Sequence, residues 1–211
     1  MFQMTPRGPF RINHPIILAS ASPRRQALLS SLGIHFEVIP ARTKEPAPDA
    51  DEAPCAYAQR MAVFKAQEIA NKRPEAIVIG ADTIVIQGST ILGKPRSRED
   101  ALAMLTRLCG TTHEVITGCC IMHKADNRCE RTSVSTRVNM PPQDQAIIEA
   151  YIATGEPMDK AGSYAIQGVG GFLVSDIRGS YTNVVGLPLT EILKILLDWE
   201  AVIPAGTKIR S

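Results

Sequence analysis

Apolar positions recur in two regular patterns along the chain, and the patterns predict an alternation of strands and helices. Continuous apolar runs at residues 16–19 and 76–79 are typical of strands that are covered on both faces. Over residues 55–72 and 188–199, apolar residues return every three or four positions, which indicates amphipathic helices. A chain that carries both patterns is expected to fold as an α/β protein.

The remaining segments complete this outline. Further strands are predicted at 35–40, 84–86, 90–92, 112–123, 129–138 and 172–177, and further helices at 23–32, 98–108 and 144–154. The glycine-rich stretch 155–171 predicts a structured loop, and 179–186 a glycine-bounded loop or short strand. The proline-rich segment 41–54, which contains Glu45, predicts a lid or binding loop, with a plain connector as the alternative. We expect one domain over 15–200, a loose arm at 1–14 and a fraying tail at 201–211.

Composition narrows the possible classes of protein. The 23 basic and 21 acidic residues give a net charge of +2, too balanced for a protein that coats nucleic acid. The five cysteines form no C-x-x-C pair, so we interpret them as reduced thiols. No apolar run is long enough to span a membrane, and residues 1–14 lack the apolar core of a signal peptide. These features predict a cytoplasmic protein without nucleic-acid or membrane partners.

The first apolar run ends in the stretch Ser20-Ala21-Ser22-Pro23-Arg24-Arg25, where a strand is expected to enter a helix. Ser22 is a suitable N-cap, and Pro23 suits the first helical turn. A helix N-terminus flanked by hydroxyl groups and guanidinium groups favours an anion, and phosphate is the anion we expect. The alternative is a capped surface helix with two solvated arginines.

Three further residues are candidates for chemistry. Asp82 follows the run at 76–79, and ligands of open α/β sheets gather beyond the carboxyl ends of strands. Lys65 lies within the apolar stripe of the 55–72 helix, and Lys94 follows the hairpin predicted at 84–92. On pattern alone, Asp82 could instead bind loop amides, and Lys65 could extend to water.

Motifs of several other enzyme classes are absent from the sequence. It contains no G-x-x-x-x-G-K-[ST], no G-x-G-x-x-G that opens a helix, no H-E-x-x-H and no G-x-S-x-G. The four histidines are scattered. P-loop, Rossmann, zincin and serine-hydrolase mechanisms therefore have no support.

Five blocks of the sequence carry a resemblance to a known family. They are Ser20-Ala21-Ser22-Pro23-Arg24-Arg25, Gly80-Ala81-Asp82-Thr83, Leu92-Gly93-Lys94-Pro95, the stretch from Asp159 to Gly168 and the stretch from Gly179 to Leu189. In this order they resemble the Maf family of nucleoside triphosphate pyrophosphatases, over residues 16–197. Several blocks in one order are more specific than any single motif.

The resemblance implies a fold and a set of site residues. The implied fold is a mixed, twisted central sheet flanked by helices, with two lobes around a nucleotide cleft, similar to inosine-triphosphate pyrophosphatases. It also implies that Asp82 is the proton acceptor, that a divalent cation (Mg²⁺ or Mn²⁺) is required, and that the protein is a homodimer. We expect Glu45 and Asp82 to hold the metal. The phosphates are expected to contact Ser20, Ser22, Arg24, Arg25, Lys65 and Lys94.

The family branch that acts on dTTP and UTP is similar in having Arg24, Thr83 and Gln167 at its specificity positions. The Gln167 amide offers an acceptor and a donor that match the N3–H and O4 edge of thymine or uracil. Alternatively, this amide only ties its own loop together. We therefore predict hydrolysis of dTTP and UTP to the monophosphate and pyrophosphate, in a house-cleaning role. The alternatives are a pyrophosphatase for another noncanonical nucleotide, such as 7-methyl-GTP, and a nucleotide-sensing regulator of cell division.

Overall fold

The computed structural model describes residues 8–42 and 45–205. The strands are β1 (Phe10–Ile12), β2 (Ile16–Leu18), β3 (Glu37–Val38), β4 (Ile77–Gln87), β5 (Thr90–Leu92), β6 (Thr112–His123), β7 (Arg128–Asn139), β8 (Asp176–Arg178) and β9 (Val202–Pro204). The helices are α1 (Pro23–Ser30), α2 (Pro54–Ala70), α3 (Arg98–Leu108), α4 (Gln145–Ala153), α5 (Tyr181–Val185) and α6 (Leu189–Asp198). Three 3₁₀ turns, Glu156–Asp159, Ala161–Ser163 and Val169–Leu173, follow α4.

Seven of the strands form one mixed sheet in the order β3-β2-β4-β6-β7-β8, with β5 paired to β4. β2 is parallel to β3 and β4, and the other strand pairs are antiparallel. Helices cover this sheet, so the predicted mixed α/β fold is confirmed.

The long strand β4 occupies the middle of the sheet. Its first residues pair with β2 only as far as Ile79, and its last three pair with β5. Between these two pairings, residues 80–84 have one edge that no strand of the described residues covers, while β6 covers the other edge. We expected Asp82 to lie beyond the end of a strand, which is wrong. Asp82 lies inside β4, at the uncovered edge beyond the end of β2.

Gly80 explains why the sequence suggested a break within β4. A Cβ at Gly80 would lie 2.3 Å from the carbonyl oxygen of Ala62 in α2. Gly118 of β6 makes the same kind of approach, since its Cβ would lie 2.3 Å from the carbonyl carbon of Ala58. The glycines therefore let α2 pack closely on the sheet, and they do not end a strand.

Within the described residues, the buried side chains form four clusters, and the two largest lie at different ends of β4 and β6. One cluster joins α1 and α6 to β2 and β4, and its fully buried side chains include Leu18 and Leu196. A second cluster joins α3 and α4 to β5, β6 and β7, and includes Leu105 and Tyr151. The other two clusters pack α2 against the sheet, and the two largest agree with the predicted arrangement of two lobes.

Four local predictions need correction. The described parts of the N-terminal arm and the C-terminal tail are not loose, because β1 and β9 pair antiparallel. Residues 1–7 and 206–211 lie outside the described residues. The predicted strand at 172–177 is the end of a 3₁₀ turn followed by β8, and the predicted loop at 179–186 contains α5. Ser180 caps α5 by accepting a hydrogen bond from the Asn183 N–H.

Candidate active site

One open cleft of about 970 Å³ lies along the uncovered edge of β4. All ten candidate residues from the sequence line this cleft: Ser20, Ser22, Arg24, Arg25, Glu45, Lys65, Asp82, Thr83, Lys94 and Gln167. We call the wall that contains Ser20, Ser22, Arg25, Lys65 and Asp82 the sheet side. The opposite wall, which contains Glu156, Asp159, Lys160, Tyr164 and Gln167, is the turn side.

The junction of β2 and α1 begins the sheet side. Ser22 caps α1 and accepts a hydrogen bond from the Arg25 N–H. Ser20 Oγ accepts hydrogen bonds from the Ser22 N–H and from Arg25 Nη1. Because both of these contacts use Ser20 as an acceptor, its hydroxyl proton is left to be donated into the cleft. The predicted N-capped helix is present, and its hydroxyl groups face the cleft.

Arg25 closes the uncovered edge of β4. Its Nε donates to Gly186 O at 2.8 Å, Nη1 to Ala81 O at 2.9 Å, and Nη2 to Thr83 Oγ1 at 3.0 Å. Together with the contact to Ser20, four of its N–H groups are engaged, and a single Nη2 N–H is left for a ligand. Burial lowers the pKa of Arg25, and the charge of Asp82 opposes this effect. The first task of Arg25 is therefore to hold the sheet side together.

A directed chain of hydrogen bonds continues from Arg25 into the core. The Thr117 hydroxyl donates to Asn183 O at 2.9 Å, which uses its only proton. The Thr83 hydroxyl must therefore donate to Thr117 Oγ1, 2.9 Å away, while it accepts from Arg25. Asn183 is fully buried, and its side chain also binds Val115 O and the Thr117 N–H. Thr83, a predicted specificity residue, has no proton left for a substrate.

Lys65 joins two carboxylates on the sheet side. Its Nζ lies 2.6 Å from Asp82 Oδ1 and 2.7 Å from Glu45 Oε1. The close packing of α2 on Gly80 brings Lys65 over β4, although the lysine belongs to the apolar stripe of its helix. Asp82 is 8% exposed, and Oδ2 has no hydrogen bond within the described chain. A buried carboxylate with one free oxygen can accept a proton from a bound water.

The loop that carries Glu45 is fastened to α2. Arg60 holds both carboxylate oxygens of Glu52, at 2.7 and 2.6 Å, and donates to Ala47 O. The Tyr57 hydroxyl donates to Pro46 O at 3.2 Å. These contacts keep Glu45 within reach of Lys65, as expected for a binding loop.

Three short turns form the turn side. Glu156 and Asp159 lie in the first turn, and Lys160 follows it with an ion pair to Asp159. Across the cleft, burial lowers the pKa of Arg24, and the carboxylates of Asp159 and Glu156 partly offset this effect. Gln167 is exposed at the cleft, and its amide has no hydrogen-bond partner among the described residues.

A model of Maf-like proteins matches residues 15–199 of this chain. The chain belongs to the Maf family. A dTTP/UTP pyrophosphatase of Nitratidesulfovibrio vulgaris is 49% identical over 92% of this chain and 91% of that protein. One of Oleidesulfovibrio alaskensis is 48% identical over 95% of this chain and 92% of that protein. A human protein described as a probable bifunctional dTTP/UTP pyrophosphatase/methyltransferase is 44% identical over 86% of this chain and 31% of its own length.

Among solved structures, the Staphylococcus aureus Ham1 protein superposes with a TM-score of 0.49 at 13% identity, over 88% of this chain and 99% of that chain. The family model and the dTTP/UTP pyrophosphatase relatives confirm, at the level of the family, the resemblance that the five sequence blocks indicated. Within the described ranges, no helix of this Maf protein is long and apolar enough to cross a membrane.

The donor set of this Maf cleft fits a divalent cation that is shared with a ligand. Glu45 and Asp82 both reach the same point, now taken by Lys65 Nζ. No cluster of three or more His, Cys, Asp or Glu side chains suited to a metal occurs within residues 8–42 and 45–205. Mg²⁺ is commonly held by one or two carboxylates together with substrate phosphates, so two carboxylates suffice.

Sequence reasoning missed three charged residues of the turn side. Glu156, Asp159 and Lys160 all line the cleft. Asp159 and Lys160 begin one of the five Maf blocks, and this position could have identified them as site residues. Glu156 lies just before that block, and its contacts with Tyr151 and with residues 169 and 170 reveal its place.

Proposed function

We propose that this chain hydrolyses dTTP and UTP between the α- and β-phosphorus atoms, to the monophosphate and pyrophosphate, in a house-cleaning role. The observation that carries the proposal is the position of Asp82. Its carboxylate faces the same cleft as the cations of the sheet side and the free amide of Gln167. The names of the relatives, dTTP/UTP pyrophosphatases, support the same substrates.

The polyphosphate tail binds to the sheet side in this proposal. The Ser20 hydroxyl, the remaining N–H of Arg25 and the ammonium groups of Lys65 and Lys94 offer donors to phosphate oxygens. Ser22 places the N-terminus of α1 toward the same anion. Fixed donors of this kind align the tail and stabilise the charge that develops during phosphorus–oxygen cleavage.

Asp82 acts on the attacking water. Its Oδ2 accepts the water proton, while Lys65 holds Oδ1 and fixes the orientation of the carboxylate. A positioned general base of this kind contributes roughly 10²- to 10⁴-fold to a rate. Because Asp82 extends from the middle of a strand, it is held more rigidly than a loop residue would be.

Glu45 and Asp82 would hold the divalent cation, Mg²⁺ or Mn²⁺, which would take the place of Lys65 Nζ between the two carboxylates and leave the ammonium group to the phosphates. When bound, such an ion neutralises phosphate charge and polarises the bond that breaks. Five cationic and four anionic side chains line the described cleft, so the side chains alone leave little positive charge for a triphosphate. This small excess supports a requirement for the ion.

The base binds to the turn side in this proposal. Gln167 pairs with the N3–H and O4 edge, and Arg24 contacts the nucleotide from the opposite wall. Thr83 contributes through Arg25, since its hydroxyl is committed within the protein. The protein is proposed to be a cytoplasmic homodimer that binds neither nucleic acid nor membranes, in line with its balanced charge.

The experiment is a substrate panel. The purified chain is incubated with Mg²⁺ and each standard ribo- and deoxyribonucleoside triphosphate, and with 7-methyl-GTP, and monophosphate and pyrophosphate are quantified separately. Both products are expected chiefly from dTTP and UTP, and chelation of the metal should stop their release. Comparable turnover of 7-methyl-GTP would favour the rival pyrophosphatase. Binding of nucleotide without cleavage would favour the nucleotide-sensing regulator.

A further inference from the structure

Glu156 occupies an unusual position for an acid that lines a cleft for a polyanion. It begins the first 3₁₀ turn, directly after Gly155, whose φ of 78° lies in the left-handed region. Its side chain is half-buried and reaches the cleft wall beside Gln167. A carboxylate at this point repels phosphate, so its presence calls for another explanation.

Hydrogen bonds supply that explanation. Glu156 Oε1 accepts from the Gly170 N–H and from the Tyr151 hydroxyl, each at 2.9 Å. Its Oε2 accepts from the Val169 N–H, also at 2.9 Å. Burial alone would raise the pKa of Glu156, but the hydrogen bonds from Gly170, Val169 and Tyr151, together with the charge of Arg24, lower it below its ordinary value. The carboxylate is thus occupied by the backbone of the loop that follows Gln167.

Tyr151 fastens the other end of the same loop. Its hydroxyl accepts a hydrogen bond from the Ala165 N–H at 3.3 Å and donates its own proton to Glu156. Tyr151 is 2% exposed and belongs to the core around α4. The segment with Gln167 at its apex is therefore fixed at residue 165 on one side and at residues 169 and 170 on the other.

Two glycines allow the carboxylate and the phenol to come this close. A Cβ at Gly168 would lie 2.5 Å from Glu156 Oε2, and Gly168 has a φ of 132°. A Cβ at Gly170 would lie 2.3 Å from the Tyr151 hydroxyl oxygen. The glycines of this block are therefore complementary to Glu156 and Tyr151.

We propose that Glu156, together with Tyr151, is a positioning residue for base selection, because it fixes the loop that presents the Gln167 amide. This inference rests on the proposed function. Glu156 touches the loop backbone and acts on the base only through Gln167. Loss of its hydrogen bonds should alter which base is preferred more than it alters the chemical step.

The test compares Glu156→Gln with the wild-type chain. A carboxamide keeps the shape of the side chain but turns one acceptor oxygen into a donor, which then faces a loop N–H. We expect about a tenfold fall in the ratio of kcat/KM for dTTP to that for dCTP, mainly through a higher KM for dTTP. Inhibition by inorganic tripolyphosphate, which probes the sheet side alone, should be unchanged. Tyr151→Phe should lower the same ratio by about threefold.

Glu149→Gln is the matched control, because Glu149 is exposed on α4 and binds only Gln145 among the described residues. It should leave the ratio unchanged. An unaltered ratio in Glu156→Gln would overturn the positioning role. So would a lower ratio in Glu156→Gln with no change in Tyr151→Phe, because the lost charge of Glu156 would then explain the effect without the hydrogen bonds. If the wild-type chain shows no preference for dTTP and UTP, the proposed function fails and this inference fails with it. A wild-type preference that survives in Glu156→Gln overturns only this inference.

Discussion

The two sides of the cleft are built by different means. On the sheet side, side chains are held by other side chains, as in the bridge from Lys65 to Asp82 and Glu45, and, at Arg25, by backbone carbonyl groups. On the turn side, a single carboxylate, Glu156, holds backbone N–H groups of a glycine-rich loop. The sheet side rests on a long central strand, whereas the turn side consists of short 3₁₀ turns. In the proposed function, the sheet side binds the phosphates and the turn side selects the base.

This difference separates the effects that substitutions should have. Changes on the sheet side should act on the rate of the chemical step and on stability, because its groups are tightly coupled and buried. Changes on the turn side should act on the choice of base and leave the chemical step largely intact. A sheet-side substitution that changes the choice of base, or a turn-side substitution that slows the chemical step, would show that the two sides are not independent.

The largest effect is expected for Asp82→Asn. The amide keeps the size of the side chain but cannot accept the water proton, so kcat for dTTP should fall roughly 10³-fold with a smaller change in KM. Steady-state release of pyrophosphate measures this loss. Asp126→Asn is the control, since Asp126 is exposed and pairs with His123 in the turn between β6 and β7. Unchanged turnover in Asp82→Asn would remove Asp82 from the mechanism.

Next in size is the effect of Arg25→Lys on stability. A lysine cannot reach Gly186 O, Ala81 O and Thr83 Oγ1 together, so some of these acceptors lose their partner. We expect the free energy of unfolding to fall by about 3 kcal/mol in urea titrations. The neighbouring Arg24→Lys should change it by only about 0.5 kcal/mol. Equal losses in the two variants would contradict the structural role of Arg25.

The contrast between these two arginines shows which part of the site the sequence alone does not predict. The helix N-terminus at Ser22 and the anion-binding character of the stretch follow from local residue types. What separates Arg25 from Arg24 is a set of acceptors at residues 81, 83 and 186, which only the folded chain brings to one point. Both arginines were therefore predicted to bind phosphate, and only Arg24 has its guanidinium free of hydrogen bonds within the described chain.

Two other errors of the sequence-based prediction also arise from contacts between residues that are distant along the chain. Asp82 was placed beyond a strand because Gly80 resembles a strand end, but the glycine serves the approach of α2, which is a tertiary contact. The α/β class and the family followed from patterns and blocks that are local in sequence. The role suggested for Glu156 could not follow from them, since an isolated glutamate after a glycine carries no signal of its own.

Acid should weaken the core behind the turn side. His113 of β6 is 2% exposed, its Nε2 lies 2.7 Å from the Tyr164 hydroxyl, and burial lowers its pKa to about 4. Above pH 6.5, neither the folded nor the unfolded chain binds the proton. As the pH falls from 6.5 toward 4, the unfolded chain binds it first, and the folded state loses stability. The loss should reach about 2 kcal/mol at pH 5 relative to pH 7.

Urea titrations at these two pH values measure this loss, with His113→Gln alongside the wild type. The variant should lack this part of the pH dependence, whereas His35→Gln, at an exposed histidine, should retain it. A wild-type loss that persists in His113→Gln would assign the acid sensitivity to other groups. If dTTP selectivity and turnover fell together at pH 5, the two sides of the cleft would not be independent.

The smallest effect is expected for Gln167→Ala. This substitution gives the sharpest test of whether the two sides of the cleft act independently. Gln167 is exposed, and its amide has no partner among the described residues, so its removal should leave the free energy of unfolding unchanged. With the amide absent, kcat/KM for dTTP should fall about tenfold, and the ratio of dTTP to dCTP should fall with it, while kcat remains near the wild-type value. An amide free to rotate could also pair with cytosine, which presents the reverse order of donor and acceptor.

The ratio of kcat/KM for dTTP to that for dCTP decides between these possibilities. If kcat/KM falls equally for both nucleotides, the Gln167 amide contributes to affinity but not to the choice of base, and other residues of the turn side must select the base. A fall in kcat itself would mean that the turn side also positions the phosphates, which would break the division between the two sides.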